Sequence, residues 1–303
     1  MNINFLWSKG LYNRNQYMLK DTNCKETEEL IKNEIIQSKK YIWIRNGCHN
    51  YHKGIVKINT ISDLDLFVKH IDLIKEPLIL ITSDGDRPVP SSYSKETIDK
   101  ILNSNKIIKW LTQNYDKTIV HPKLNYYPIG LDLHTSRWLI NNSPLEKINF
   151  IKNTRNTKKT TNENKINNKI FCDAHLHATS AERTKMHDIL KNNKNITFLE
   201  KGVNYREITK LYNSYLFVIS PRGNGLDCHR TWELFLLGCI VITKTSSLDE
   251  LWIKHKLPVI ILKEWNELNV NLENKLQNWL KNNKKLTETN YILNKYTNDY
   301  WLK

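Results

Sequence analysis

The segment YLFVISPRGNGLDCHRTWELFLLGCIVIT, residues 215–243, predicts a strand, a loop, a helix and a second strand. The five residues before Ser220 are an apolar run, which is typical of a strand buried on both faces. Apolar residues return at helical spacing after His229, and a second apolar run begins at Cys239. A strand and helix in alternation are the building unit of a parallel α/β sheet.

The same alternation extends on both sides of this segment. Between residues 169 and 285, strands at 196–199 and 259–262 and helices at 205–214 and 247–252 continue the βαβ series, which predicts a doubly wound Rossmann-like domain. Residues 1–150 predict a second α/β domain, with strands at 41–45, 78–82 and 107–111. Residues 151–168 lose the hydrophobic period and predict a linker or long loop, and 286–303 predict a last helix with one packed face, of the kind that crosses back to the first domain in GT-B proteins.

Composition indicates which kinds of ligand or partner the protein is expected to bind. The 303 residues include 46 Lys and Arg against 31 acidic residues, a net charge of +15, which favours anionic ligands. Much of that charge lies in Asn/Lys-rich stretches such as 152–169, with no basic helix interleaved with aromatics, so nucleic acid is not the expected partner. Five scattered cysteines form no CxxC pattern, and no apolar run approaches the roughly 20 residues that span a bilayer. We expect a soluble cytoplasmic protein without a membrane partner.

The loop at residues 220–228 combines several features that favour a diphosphate. Gly223 and Gly225 can take positive φ and let backbone N–H groups approach a phosphate. Arg222 can donate to two oxygens, and the helix that follows presents its positive end. On that helix, Arg230 and Glu233 share a face, and the Glu233 carboxylate can accept both ribose hydroxyls. The alternative for this pair is an ion pair on the surface.

The first domain supplies candidates for a general base. Asp84 and Asp86 follow a predicted strand, where ligands of parallel sheets bind, although Asp-Gly is also a common turn. His49 and His52 are secondary candidates. The Asp63-Leu64-Asp65 triplet has the spacing of a metal-binding DxD motif, but its context predicts the start of a helix.

Residues 217–252, FVISPRGNGLDCHRTWELFLLGCIVITKTSSLDELW, resemble the exostosin-like glycosyltransferases, in particular the compact soluble enzymes encoded by large algal and amoebal viruses. The match includes Ser220, Arg222, Gly223, Asp227, Arg230 and Glu233 as donor-binding positions. Segments 78–90 and 123–132 resemble the acceptor side more loosely.

The resemblance implies a GT-B fold, in which two Rossmann-like domains face a central cleft. It implies that Arg222 neutralises the diphosphate, that Glu233 holds the ribose and that Arg183 is a second phosphate contact. The implied reaction is transfer from a UDP-sugar to a glycan or glycoprotein acceptor. We expect it to be inverting, with Asp84 or Asp86 as the base, and to need no metal cofactor.

Two other functions remain open. Residues 173–177, DAHLH, match the DxHxH motif of metal-dependent hydrolases, in which two imidazoles of one strand bind zinc. Nine Trp and fourteen Tyr offer stacking faces for a non-catalytic carbohydrate- or nucleic-acid-binding module.

Overall fold

The computed structural model describes residues 5–9, 24–37, 40–47, 61–135, 140–141, 143–156, 166–177 and 179–303. The chain divides into two compact units, Met1–Ile129 and Gly130–Lys303. Each unit contains its own parallel sheet. Within the described ranges, no helix combines the length and the apolarity needed to cross a bilayer.

The first unit is a four-stranded parallel sheet with helices between its strands. The strand order is β1-β2-β3-β4, so each strand pairs with the next one along the chain. The central strand β2 is buried along its whole length, in agreement with its apolar sequence. The elements are α1 (Cys24–Ile36), β1 (Tyr41–Arg45), α2 (Asp63–Lys69), β2 (Leu78–Ser83), α3 (Lys95–Asn103), β3 (Ile107–Thr112) and β4 (Leu124–Tyr126).

Local sequence explains where the first-unit helices begin. Ser62 and Asp65 form a capping box, in which each side chain bonds to the backbone N–H of the other. The prediction that Asp63-Leu64-Asp65 starts a helix is therefore confirmed. Asp63 is buried in an ion pair with Arg45, 2.9 Å from Oδ2 to Nε, and so has a structural partner.

The second unit is a five-stranded parallel sheet of order β6-β5-β7-β8-β9. Its core is formed by apolar side chains of β5, β7 and β8, packed against α5, the 265–269 turn and α9. The elements are α4 (Pro144–Asn156), β5 (Ile166–Cys172), α5 (Ala181–Leu190), β6 (Ile196–Phe198), α6 (Tyr205–Ser214), β7 (Tyr215–Ile219), α7 (His229–Leu236), β8 (Ile240–Lys244), α8 (Asp249–Lys254), β9 (Val259–Leu262), α9 (Leu272–Asn283), α10 (Thr289–Asn294) and α11 (Asn298–Trp301).

The limits of the units differ from the predicted domains. The division falls after Ile129, earlier than the predicted boundary at residue 150. Much of the predicted linker 151–168 is regular structure, because α4 continues to Asn156 and β5 begins at Ile166. Buried Ile148 and Ile151 attach α4 to the second unit, where it packs on α6 and α7. The Asn, Lys and Thr residues around this apolar pair conceal it in the sequence.

The carboxy-terminal tail is three short helical segments, at Lys284–Thr287, α10 and α11, where the sequence predicted one helix. Buried Tyr296 donates its hydroxyl to the carbonyl of Trp232 in α7, and the Trp301 ring packs edge-on against the Trp232 ring. These contacts attach the tail to the second unit.

The predicted α/β class, with two Rossmann-like units built on parallel sheets, is confirmed. The second unit has the doubly wound strand order of flavodoxin-like domains.

Candidate functional site

The strand order of the second sheet reverses between β5 and β7. β5 pairs with β6 on one side and with β7 on the other, and the chain then continues outward through β8 and β9. Open parallel sheets bind ligands outside the carboxyl ends of the strands that flank such a reversal. Here those ends lead into Asp173 and Ser220, so the segments that follow these residues form the candidate site.

The loop after β7 is held by residues of two neighbouring helices. The Ser220 hydroxyl lies 3.0 Å from the hydroxyl of Thr231 in α7. The carbonyl of Arg222 accepts hydrogen bonds from Ser180 Oγ at 3.2 Å and from Arg183 Nε at 3.0 Å. Arg183 also donates through Nη1 to the carbonyl of His177, at 3.0 Å. The predicted phosphate contact Arg183 therefore joins the segment after β5 to the loop after β7.

Gly223 is explained by close packing. A Cβ at this position would lie 3.2 Å from Arg183 Nη2 and 3.3 Å from Cys228 Sγ, tighter than nine in ten real Cβ contacts. Its backbone is outside the left-handed region, so the positive φ suggested for Gly223 does not occur. The Arg183 guanidinium lies directly against the loop, so a side chain at position 223 would require it to shift.

Arg230 in α7 belongs to a buried polar network at the end of β5. Its Nη2 lies 3.2 Å from Asp173 Oδ2, and its Nε donates to the Tyr212 hydroxyl at 3.1 Å. Tyr212 in turn donates to the same Asp173 oxygen at 2.8 Å. Two further guanidinium nitrogens, Arg230 Nη1 and Arg222 Nε, are buried without a hydrogen-bond partner among the described residues. Buried donors of this kind are rare in native proteins and call for an explanation.

The electrostatics of the arginines provide that explanation. Burial and the nearby positive charge of Arg230 lower the pKa of the Arg183 guanidinium. Burial alone would lower the pKa of Arg230 as well, but Asp173 and Tyr212 raise it above its usual value. Two guanidinium cations therefore repel each other at this point, and Asp173 is ion-paired with one of them, Arg230. An anion at this point would compensate the excess charge and bind the remaining donors.

Glu233 lies one turn after Arg230 but pairs with a different residue. Its Oε1 is 2.7 Å from Nζ of Lys147 in α4, whose side chain is fully buried. The Lys147 ammonium also donates to the carbonyl of Asp132 at 2.6 Å and lies 4.5 Å from the centroid of the Tyr205 ring. Arg230 and Glu233 are therefore members of two separate buried networks, and the alternative of a surface ion pair between them is wrong. Sequence reasoning did not identify Lys147.

Asp227 fixes the start of α7. Its Oδ1 accepts the indole N–H of Trp232 at 2.9 Å and the backbone N–H of Cys228 at 2.9 Å, and the same indole lies 3.1 Å from Oδ2. Asp227 and Trp232 are both buried. The predicted donor-binding residue Asp227 thus positions the helix whose first turn carries Arg230.

A small cavity of about 30 Å³ lies beside this loop, over the carboxyl ends of β7 and β8. Hydroxyl, carboxylate and guanidinium groups occur along its wall, together with apolar side chains. A cavity of this size holds water and is much smaller than the roughly 300–1,000 Å³ pockets that bind small-molecule ligands. Its lining includes Glu182, Ser220, Arg222, Thr231, Thr243 and Thr245.

The two candidate bases lie at the carboxyl end of β2 in the first unit. Asp84 has a positive φ of 64°, and its Oδ2 lies 3.4 Å from Lys9 Nζ. A Cβ on the next residue, Gly85, would overlap the carbonyl of Asn46, so the turn requires glycine there. Asp86 is half-buried. The secondary candidates His49 and His52 lie outside the described residues.

The DxHxH segment is not arranged as a metal site. Asp173 is held by Tyr212 and Arg230, as described above, whereas His175 stacks on His187 of α5, with ring centroids 4.6 Å apart. Within the described part of the chain, the group of His and acidic side chains close enough to share a metal ion is a different one, Asp132, His134 and His229. The hydrolase alternative therefore loses its ligand set.

Comparisons with known proteins give resemblance in structure only. No protein-family model matches the chain, and no curated protein matches it in sequence. Among solved structures, it is similar to a proposed UDP-N-acetylglucosamine 2-epimerase from Listeria monocytogenes, with 10% identity and a TM-score of 0.39 over 91% of this chain and 77% of that one. It is also similar to a UDP-forming α,α-trehalose-phosphate synthase from Burkholderia xenovorans, with 7% identity and a TM-score of 0.38 over 95% and 83% of the two chains.

Proposed function

We propose that this chain is a GT-B glycosyltransferase that binds a UDP-sugar at the strand reversal of its second unit and transfers the sugar to a hydroxyl of a glycan or glycoprotein. The observation that carries the proposal is that Arg222 Nε and Arg230 Nη1, near that reversal, are buried without a hydrogen-bond partner in the part of the chain that the structure describes. A diphosphate offers the charge and the acceptor oxygens that these donors require.

The proposed donor contacts follow from the positions of the side chains. Arg222 and Arg230 donate to the diphosphate, while Arg183 keeps the loop and its Arg222 carbonyl in place. Glu233 accepts from the ribose through the oxygen that Lys147 does not hold. The nucleoside lies outside the carboxyl ends of β7 and β8, beside the small cavity there. Protein cations carry the negative charge of the leaving group, so this reaction does not call on a metal ion.

The proposed reaction is a single inverting displacement. The acceptor hydroxyl oxygen bonds to the anomeric carbon as the bond from that carbon to the diphosphate oxygen breaks, and UDP leaves. The hydroxyl proton passes to a carboxylate, for which Asp84 and Asp86 are the candidates. Asp84 already forms an ion pair with Lys9. We therefore favour Asp86 as the base.

A ligand screen tests donor binding. Bound ligand raises the apparent unfolding temperature by mass action, so a panel of nucleotide sugars should show stabilisation by UDP-sugars and UDP. Arg222→Ala should abolish that stabilisation, and Arg206→Ala, an exposed arginine on α6, should retain it. If UDP stabilises the unsubstituted protein, Arg222→Ala and Arg206→Ala equally, the assignment of Arg222 as a donor contact is wrong. Binding without transfer to any glycan would favour the non-catalytic carbohydrate-binding alternative.

Substitution of the candidate bases tests the chemical step. Asp86→Asn or Asp84→Asn should lower kcat by at least about 100-fold, the usual contribution of a general base, with little change in the Kd for the donor. The measurement is single-turnover transfer with saturating donor. Full rates in both variants would assign the base to another residue.

A further inference from the structure

Three potential metal ligands meet at the start of α7. One ligand atom each from Asp132, His134 and His229 lies within 4.8 Å of the other two. Asp132 and His134 come from the segment at the beginning of the second unit, and His229 is the first residue of α7. His229 is nearly one hundred positions from Asp132 and His134 in the chain and meets them only in the fold.

Their geometry is close to that of a zinc site. His134 Nδ1 and Asp132 Oδ1 are 3.4 Å apart. Two ligands of a tetrahedral zinc ion, each at about 2.1 Å from the metal, are separated by about 3.4 Å. The ligand atom of His229 lies within 4.8 Å of the other two. Two imidazoles and one carboxylate are a common zinc ligand set, with the fourth position left to water.

Neighbouring groups hold these ligands in place by hydrogen bonds, as they do in known metal sites. His229 Nδ1 lies 2.9 Å from the carbonyl of Gly130, and a carbonyl can only accept. This contact puts the ring proton on Nδ1 and leaves Nε2 as the metal-binding nitrogen. The Asp132 carboxylate accepts the backbone N–H of Thr135 at 3.0 Å, which fixes its orientation. Metal-bound histidines usually donate their other ring N–H to a carbonyl or carboxylate in this way.

The local charge balance also favours a cation. Asp132 is buried, and a buried carboxylate needs a counter-charge. The nearby Lys147 ammonium is paired with Glu233 and donates to the Asp132 backbone carbonyl. The His134 side chain is about one-third exposed, at 32%, which gives an ion access from solvent.

We propose that Asp132, His134 and His229 bind one divalent transition-metal ion, and that this ion is zinc. The zinc joins the 130–135 segment to the first residue of α7. It is separate from the diphosphate contacts of Arg222 and Arg230, so it does not rest on the proposed transferase activity. A protein that binds zinc but no UDP-sugar would contradict the transferase proposal alone. A protein that binds a UDP-sugar but no zinc would contradict the zinc proposal alone.

The experiment measures zinc in untagged, full-length protein after incubation with zinc chloride and gel filtration. We expect about one zinc per chain in the unsubstituted protein and none in His134→Ala or His229→Ala. The matched control is His175→Ala, which removes a histidine of the DAHLH motif and should retain the metal. Absence of zinc from the unsubstituted protein, or loss from the His175 variant together with retention in the other two, would overturn the proposal.

Cobalt substitution keeps the test informative if a histidine variant folds poorly. Co²⁺ in a tetrahedral site absorbs strongly in the visible range, whereas octahedral Co²⁺ in solution absorbs weakly. The unsubstituted protein and Asp132→Asn differ by one charged ligand at nearly constant shape. We expect the tetrahedral bands in the former and at least a tenfold loss of Co²⁺ affinity in the latter. Octahedral spectra, or equal affinity in the two proteins, would contradict the site.

Discussion

Replacement of Lys147 by methionine removes a buried charge that three groups contact. The Lys147 ammonium lies 2.7 Å from Glu233, 2.6 Å from the Asp132 carbonyl and 4.5 Å from the centre of the Tyr205 ring. At 2.7 Å and an effective dielectric constant of about 20, the attraction to Glu233 is about 6 kcal/mol before the cost of removing both charges from water. That cost is several kcal/mol for each ion.

The net contribution of the ion pair to stability is therefore small, but the loss of one partner destabilises the protein strongly. Lys147→Met leaves the Glu233 carboxylate buried without its cation, and we expect the free energy of unfolding to fall by about 3–5 kcal/mol. Glu233→Gln in the same chain removes the uncompensated charge, so the double variant should recover at least about 2 kcal/mol of that loss.

The assay is urea unfolding of the four proteins of this cycle, followed by far-UV circular dichroism. The control is Lys191→Met, which breaks an exposed pair with Asp188 and should change stability by less than about 0.5 kcal/mol. A Lys147→Met protein that is within 1 kcal/mol of the unsubstituted one, or additive effects in the double variant, would refute the buried coupling.

Two further predictions concern packing and pH. Gly223→Ala places a methyl group 3.2 Å from Arg183 Nη2, so it should displace the loop and weaken UDP binding by roughly tenfold in calorimetric titration; unchanged affinity would mean that the loop tolerates the shift. Burial, Lys295 and Lys254 lower the pKa of His255 from 6.5 to about 4, so the unfolded chain binds its proton first as the pH falls. Stability from this residue is complete above pH 6.5 and is lost towards pH 4, by about 1–2 kcal/mol after allowance for its partial exposure. His255→Gln should flatten the dependence of Tm on pH between 7 and 5; an identical slope would contradict this origin.

The regular elements of the second unit were largely predictable from sequence. The predicted helix at 205–214 and strand at 259–262 match α6 and β9, because apolar periodicity and the cap at Asn204 agree in this region. α4 was missed because its buried face carries isolated apolar residues among Asn, Lys and Thr. For the same reason, the predicted domain boundary at residue 150 lies later in the chain than the division after Ile129.

The candidate site was predictable only where its residues are neighbours in sequence. The loop with Arg222 and Gly223 follows a recognisable strand, and the structure brings it to the strand reversal. Lys147, by contrast, lies on a polar helix far from α7 in sequence, and only the fold shows that its ammonium is buried against Glu233. The group of Asp132, His134 and His229 was not predictable for the same reason, since no local spacing in the sequence links the first two residues to the third.

The central claim is that guanidinium groups at the strand reversal bind a diphosphate, and calorimetric titration of UDP and of uridine tests it most directly. We predict that UDP binds the unsubstituted protein more tightly than uridine does. Arg222→Ala should reduce the affinity for UDP by at least about tenfold, the loss of a charge-assisted hydrogen bond, while the affinity for uridine stays unchanged. Equal binding of UDP and uridine by the unsubstituted protein, or an Arg222→Ala protein that keeps full affinity for UDP, would contradict the account.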